Sequence, residues 1–391
     1  VEDDARFMNT YCGSCTFAER GEDRFELRNG GRLGPVTLAY ETYGTLNGEG
    51  SNAILIFHAL TGSQHVAGYR ENVPGVEELW NEECRVGWWD SVVGEAKALD
   101  TRRFYLICVN YLGGCYGSTG PSSINPETGK PYGNAFPWIT IPDVVNSQMR
   151  VLEHLGVKQL YAVIGASLGG LMALQLAVLY PDRVRFVVSI ASGVAVSPLQ
   201  RIHNLEKICV IENDPYFNGG NYYEGKKPLQ GMLLARIISH KTYVSLKAME
   251  DRARGEIKRD YPMPDQYHLQ SPLESYMLHQ GYKFIKRFDP NSYLRIIGIW
   301  QQFALLGDSG AENYKELFSR CRHQEHLIFS INSDVCFYPE EQDELISALQ
   351  QGGVTTHKIV VTSDKGHDAF LVEPERFARQ LEYWLYRRFE Q

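Results

Sequence analysis

No run of apolar residues in this chain approaches the roughly 18 that a membrane-crossing helix needs. The opening VEDDARFMNT has no apolar stretch of the kind a secretion signal carries. Met8 reads as a candidate natural start, with residues 1–7 as an extension. An excess of positive charge is missing too: 39 Lys and Arg stand against 47 Asp and Glu, a formal net charge of −8. That balance excludes a general nucleic-acid binder and leaves any anionic ligand to a local basic patch. The eleven histidines show no H-E-x-x-H or comparable ligand spacing, so no metal is expected. Repeats and low-complexity tracts are absent. The eight cysteines are scattered, which argues against a disulfide framework and makes the cytoplasm the default compartment. Cys12 and Cys15, in CGSC, lack a βαβ context and a second ligand pair. They are expected in a mobile N-terminal arm, without redox or metal function.

What is present is core material: 391 residues, 43% of them hydrophobic and 22% charged, enough for a globular α/β protein. Residues 25–43 read as two β segments around a Gly-rich turn. From there apolar strand runs alternate with helical spacing: AILIFHAL (53–60), RFYLICVNY (103–111), a helix over 143–157, QLYAVIGA (159–166), a helix from 167 to Tyr180, and RVRFVVSIAS (183–192). Such alternation predicts a mostly parallel sheet with helices on both faces. Residues 198–320 carry no strand pattern, only helical stretches such as LQGMLLARIISHKTYVSLKAMEDRA and SYLRIIGIWQQFALL. The α/β rhythm returns with HLIFSINSD (326–334), a helix, HKIVVTSD (357–364) and a last amphipathic helix. The predicted organisation is an α/β core over 1–197 and 321–391, interrupted by a helical lid at 198–320.

Between the strand ending at Ala166 and the helix that follows, Ser167 stands in Gly165-Ala166-Ser167-Leu168-Gly169. A sharp strand-to-helix corner lifts such a serine above the sheet edge and needs small flanking residues; G-x-S-x-G in this context is a nucleophile elbow. A serine hydroxyl needs a base to take its proton. The expected chain order is Ser, then Asp or Glu, then His, each after a later strand. Asp334 follows HLIFSINS and His367 follows HKIVVTSDKG, so Ser167, Asp334 and His367 are the candidate triad. Asp364 and Asp368 compete with Asp334 but lie too close to His367 to arrive from a separate strand end. The remaining histidines have bland readings: His154 on a helix, His323 and His326 near a solvent-facing turn, His357 opening a strand. Two backbone N–H groups should receive the oxyanion, one from Leu168 and one from Leu60 in the HALTG loop.

Several stretches together resemble the homoserine O-acetyltransferase family of α/β-hydrolase-fold acyltransferases: LAYETYGTLN (38–47), HALTG, HVAG (65–68), GWWD (87–90), LGGCYGSTGPSSINPETGKPYG (112–133), GASLGG, RIISHKTYVS (236–245), RFDPNSYL (287–294) and GHDAF (366–370). The resemblance implies a two-step reaction. Acetyl-CoA acylates Ser167, and L-homoserine then takes the acetyl group, giving O-acetyl-L-homoserine for methionine synthesis. It also implies that Arg236, Tyr243 and Asp368 place the amino acid, that no cofactor is permanently bound, and that the protein pairs as a homodimer through lid helices such as GMLLARII. Serine O-acetyl- or succinyltransfer and homoserine O-succinyltransfer belong to the same family, and a plain serine esterase is the alternative outside it. A non-catalytic binding module is a third class, disfavoured by the complete Ser, Asp and His set. Three stretches depart from the family pattern. Residues 69–86 separate HVAG from GWWD by more than usual, near the expected pocket mouth. Val335-Cys336-Phe337 replaces the usual tryptophan after the aspartate, and the elbow reads GASLGGLMALQL where many members have a methionine after the serine and a more polar helix. All three leave the triad intact and bear on donor and acceptor choice.

Overall fold

Five apolar residues in a row, AILIF and YLICV, form strands buried on both faces, as a sheet covered by helices on two sides requires. In a computed structural model, which describes residues 10–19, 23–254 and 267–389, these strands belong to one eight-stranded sheet. Its strands are β1 (Thr10–Phe17), β2 (Val36–Tyr43), β3 (Ala53–Phe57), β4 (Tyr105–Val109), β5 (Leu160–Ala166), β6 (Val184–Ile190), β7 (Glu325–Ile331) and β8 (Thr355–Val361). The spatial order is β1-β2-β4-β3-β5-β6-β7-β8. β2 runs antiparallel to both its neighbours, and the pairings from β4 through β8 are parallel.

The expected strands and helices of the core all form, with ends moved by a few residues. The N-terminal arm does not. Residues 10–17 are β1, zipped along the whole of β2. Cys12 lies opposite Glu41 and Cys15 opposite Leu38. Three residues apart in a strand, the two thiols point to opposite faces, so they cannot act as a dithiol. Residues 25–43 supply one sheet strand, not two; Phe25–Glu26 and Arg32–Leu33 make only a two-residue ribbon. His326 is not near solvent: it lies fully buried in β7, where burial pulls its imidazole down to about 3.

Helix α1 (Ile141–His154) starts with a capping box, Thr140 and Asp143 reciprocally bonded. Helix α2 (Leu168–Leu179) is apolar throughout and lies buried between α1, β5 and β6. Between β6 and β7 come α3 (Pro198–Glu212), α4 (Leu229–Tyr243), α5 (Leu246–Arg252), α6 (Pro272–Phe284) and α7 (Pro290–Gln301), with two further short helices. No strand interrupts them among the described residues. α3 packs on α4 and α7, and α4 on α6. The long helical stretch 229–253 is two helices, because Val244 is extended and the Ser245 side chain accepts from Ala248 N to begin α5. Half of GMLLARII is used inside the chain: Gly231, Met232, Leu233 and Ala235 are buried, Arg236, Ile237 and Ile238 are half-buried, and Leu234 is exposed. Helices α8 (Pro339–Gln351) and α9 (Glu375–Phe389) complete the core layers.

Candidate active site

The corner between β5 and α2 holds Ser167 at φ 57°, ψ −125°, a conformation that a side-chain-bearing residue adopts only when its surroundings force it. Its N–H donates to Ile190 O at 2.9 Å, tying the corner to β6. The flanking glycines meet each other there. A methyl on Gly165 would stand 1.9 Å from Gly169 O, and one on Gly169 would stand 2.3 Å from Phe57 O. Both glycines are therefore steric necessities of the corner.

β7 and β8 end beside it and deliver the other two residues. His367 Nδ1 donates to Asp334 Oδ2 at 2.7 Å, and Ser167 Oγ donates to His367 Nε2 at 2.8 Å. The second Asp334 oxygen accepts from Cys336 N at 2.8 Å and Phe337 N at 2.9 Å, so the carboxylate is fixed in angle as well as position. All three side chains are buried. Burial pulls the imidazole down, but the facing, hydrogen-bonded Asp334 carboxylate outweighs it and raises His367 above its usual value. Asp364, one competitor, turns outward to pair with Lys247 at 3.1 Å and Lys365 at 2.7 Å.

Leu168 opens α2, and its N–H belongs to the helix's first turn, which has no intrahelical acceptor. The loop carrying Leu60 runs along the same corner, with Phe57 O and His58 O against Gly169. Three contacts hold this loop: Tyr111 OH donates to His58 O, the His58 ring stacks on Tyr111 at 3.8 Å, and Arg287 Nη1 donates to Thr61 O at 3.0 Å. Burial pulls His58 down to about 4, so it stays neutral.

Arg236 and Tyr243 share one face of α4, the guanidinium 5.7 Å from the Tyr243 ring and 5.0 Å from that of Phe284. Its Nε is enclosed and makes no hydrogen bond. Burial and Arg287 lower the Arg236 pKa, against the pull of Asp368. The Tyr243 ring lies 6.1 Å from that of His367. Asp368 N donates to Tyr243 O at 2.9 Å, and Ser245 N donates to Lys365 O at 3.3 Å. The turn between α4 and α5 is thus stitched to the loop that carries His367. Burial raises the Asp368 carboxyl, with His367 and Arg236 acting against it.

Two neighbours of the site, Trp300 and Lys207, escaped the sequence reading, and Phe337, noted there only as a departure from the family pattern, joins them to the imidazole. Phe337 stacks on His367 with centroids 5.5 Å apart, and Trp300 of α7 stacks on Phe337 at 5.6 Å. Lys207 of α3 lies buried, its ammonium over the Trp300 ring. The available signal was Lys207 standing in helical register with the inward Gln200, Asn204 and Ile211, but that face is too polar to announce itself as buried. Residues 69–86 fold back through a Tyr69–Val86 bridge, and Arg70 Nε bonds the buried Glu41 at 2.8 Å. Part of this segment, with Thr61, Trp88, Arg287 and Leu371, lines a cleft of about 480 Å³ beside the Leu60 loop. Among the described residues no group of His, Cys, Asp and Glu could hold a metal ion, and no helix is long and apolar enough to cross a membrane.

Residues 52–374 match the family model described as alpha/beta hydrolase fold. The homoserine O-acetyltransferase of Methanosalsum zhilinae is 40% identical over 363 residues, 93% of this chain and 70% of that one. Among solved structures, the homoserine O-acetyltransferase of Bacillus anthracis superposes with a TM-score of 0.84 at 26% identity, covering 97% of this chain and 98% of the other. Esterase E22 superposes equally well, with a TM-score of 0.84 at 26% identity over 96% of this chain and all (100%) of the other. The parallel sheet, the strained serine corner and a relative this similar over this much sequence lead to one assignment: the chain belongs to the homoserine O-acetyltransferase family of the α/β-hydrolase fold.

Proposed function

We propose that this enzyme transfers the acetyl group of acetyl-CoA to the hydroxyl of L-homoserine, through an ester on Ser167. The observation that carries the reading is the unbroken Ser167–His367–Asp334 relay beside the half-buried Arg236 and Asp368. Ser167 Oγ attacks the thioester carbonyl while His367 takes its proton; the oxyanion meets Leu168 N–H and Leu60 N–H. CoA leaves with that proton. The homoserine hydroxyl then gives its proton to His367 and attacks the ester; the bond to Ser167 Oγ breaks and His367 returns the proton to Ser167. Asp334 holds the imidazole tautomer and stabilises its cation. Arg236 takes the amino-acid carboxylate, Asp368 its ammonium, and Tyr243 packs beside them. An acceptor hydroxyl held at high effective concentration outcompetes water. The cleft beside Thr61 and Trp88 is the route for the CoA arm. Residues 198–320 act as the lid over a core of 1–197 and 321–391, and the cytoplasm is where the reaction runs. No permanently bound cofactor takes part.

The equal likeness to esterase E22 favours hydrolysis as a second reading. The two separate on one assay, thiol release from acetyl-CoA with and without L-homoserine. Transfer predicts release that requires the amino acid, with O-acetylhomoserine found by mass; homoserine-independent release would establish a hydrolase. Arg236→Ala should raise KM for homoserine about 10- to 100-fold, the worth of a charged hydrogen-bonded pair. The same change should barely alter hydrolysis of a simple acetyl ester.

The homodimer is proposed through exposed apolar residues of the lid, Ile202 and Leu205 on α3 with Leu234 on α4. This differs from the GMLLARII face expected from sequence, of which only Leu234 is exposed. Ile202→Glu with Leu205→Glu should shift the protein from dimer to monomer in sedimentation. A wild-type monomer would remove this part of the proposal.

A further inference from the structure

The HALTG loop that carries Leu60 has no helix or strand to hold it. Two anchored carbonyls stand on either side of its Ala59–Leu60 peptide. His58 O accepts from Tyr111 OH, a residue of the core. Thr61 O accepts from Arg287 Nη1 at 3.0 Å, and Thr61 Oγ1 accepts from Arg287 Nη2 at 3.4 Å. A planar fork that grips both oxygens of one residue fixes the direction of the carbonyl as well as its place. The N–H between the two anchors is that of Leu60, one of the two donors assigned above to the oxyanion.

Arg287 comes from a distant part of the chain, the link between α6 and α7. Its guanidinium lies 5.2 Å from the centre of the Phe284 ring, its Nε stands 3.7 Å from Glu83 Oε2, and Tyr116 OH donates to Arg287 O. The side chain is 18% exposed, so little water competes for its donors. The core therefore does not complete this half of the oxyanion hole by itself: one anchor is its own, and the other is supplied by the helical segment between β6 and β7. Arg287 also borders the cleft beside Trp88, where a cation suits a CoA phosphate. The geometry points inward instead, because both Nη atoms face Thr61.

We infer that Arg287 is a positioning residue for acyl transfer: it holds the Thr61 carbonyl so that the Leu60 N–H stays aimed at the oxyanion in both steps. It acts through the loop and touches no reacting atom. The inference rests on the acyl-Ser167 route and the Leu60 donor proposed above, and is independent of which acceptor takes the acyl group.

The test compares wild type with Arg287→Ala on two donors, acetyl-CoA and p-nitrophenyl acetate, the second of which has no CoA. Acetylation of Ser167 in the first turnover, read by mass and by release of thiol or nitrophenol, should slow about 10- to 100-fold with both donors. That is less than the roughly 100- to 1000-fold cost of removing an oxyanion donor outright, because the donor is displaced and not lost. KM for each donor should hardly move. Guanidinium ion at low concentration should restore part of the rate of Arg287→Ala by refilling the space from the cleft. A variant that is merely less stable would be slowed further by this denaturant. If Arg287→Ala fails to fold, Arg287→Lys carries the same comparison: with one donor left for Thr61 O, it should slow equally on both donors, and by less. Slowing with acetyl-CoA alone, or a rise in its KM at unchanged kcat, would make Arg287 a CoA contact and overturn the inference. Unchanged rates, or slowing that guanidinium only deepens, would overturn it too. Homoserine-independent thiol release by wild type would remove the transferase reading and leave this one standing, since hydrolysis passes through the same oxyanion. A wild-type enzyme that gains no acetyl group would remove both.

Discussion

Ser167→Ala should lower acetyl transfer by about 10⁴- to 10⁶-fold, the range in which loss of a nucleophile falls when a relay acts as a unit. The hydroxyl is the atom that becomes acylated, and nothing else in the relay can replace it. His367 would keep its tautomer through Asp334, so the variant should still bind both substrates. Fold stability should barely move, since alanine suits this backbone no worse than serine, and the corner's Ser167 N to Ile190 O bond is untouched. Intact-protein mass after mixing with acetyl-CoA alone reads the step directly: wild type should gain an acetyl group and the variant should not. Transfer at a wild-type rate by Ser167→Ala would rule out the covalent route.

Gly165→Ala should be as damaging without touching a reacting atom. The added methyl would stand 1.9 Å from Gly169 O, a backbone atom that no rotamer change can move. The strand cannot shift either. Gly165 pairs with Phe57 on one side and Ser189 on the other, in the middle of the sheet. The corner itself must open, carrying Ser167 away from His367 and Leu168 away from Leu60. A loss of about 3 kcal/mol or more of stability is expected from such overpacking. A serine displaced by about 1 Å would cost about 100-fold in rate. Gly48→Ala is the control: nothing lies within 4 Å of a methyl there, so its melting and activity should match wild type. If Gly165→Ala behaved like that control, the steric account of the elbow would be wrong.

Much of this site is legible in the sequence alone. The elbow could be read because a sharp corner restricts residue type within five consecutive positions, and local sterics are written in local sequence. Asp334 and His367 could be read because each follows a strand with a continuous apolar run, and strand ends of a parallel sheet gather on one edge. The N-terminal arm was misread for the opposite reason. TYCGSCTF carries little apolar alternation, and its strand character comes from pairing with β2, a partner that local sequence does not reveal. The burial of His326 followed the same logic. A histidine beside a polar turn looks exposed, but the strand in which it lies runs between β6 and β8, under helices on both faces.

The division follows from distance along the chain. The amino-acid sequence by itself determined the alternation of strands and helices, the strained serine corner and the order of the relay, since each depends on neighbouring residues or on a regular period. Tertiary structure alone decided what met across long separations: β1 closing onto β2, the turn after α4 bound to the His367 loop, and Lys207 reaching the Trp300–Phe337 stack beside the imidazole. These contacts join segments whose individual patterns carry no mark of each other. They form because packing the helices between β6 and β7 over the sheet edge leaves few ways to bury so much apolar surface at once.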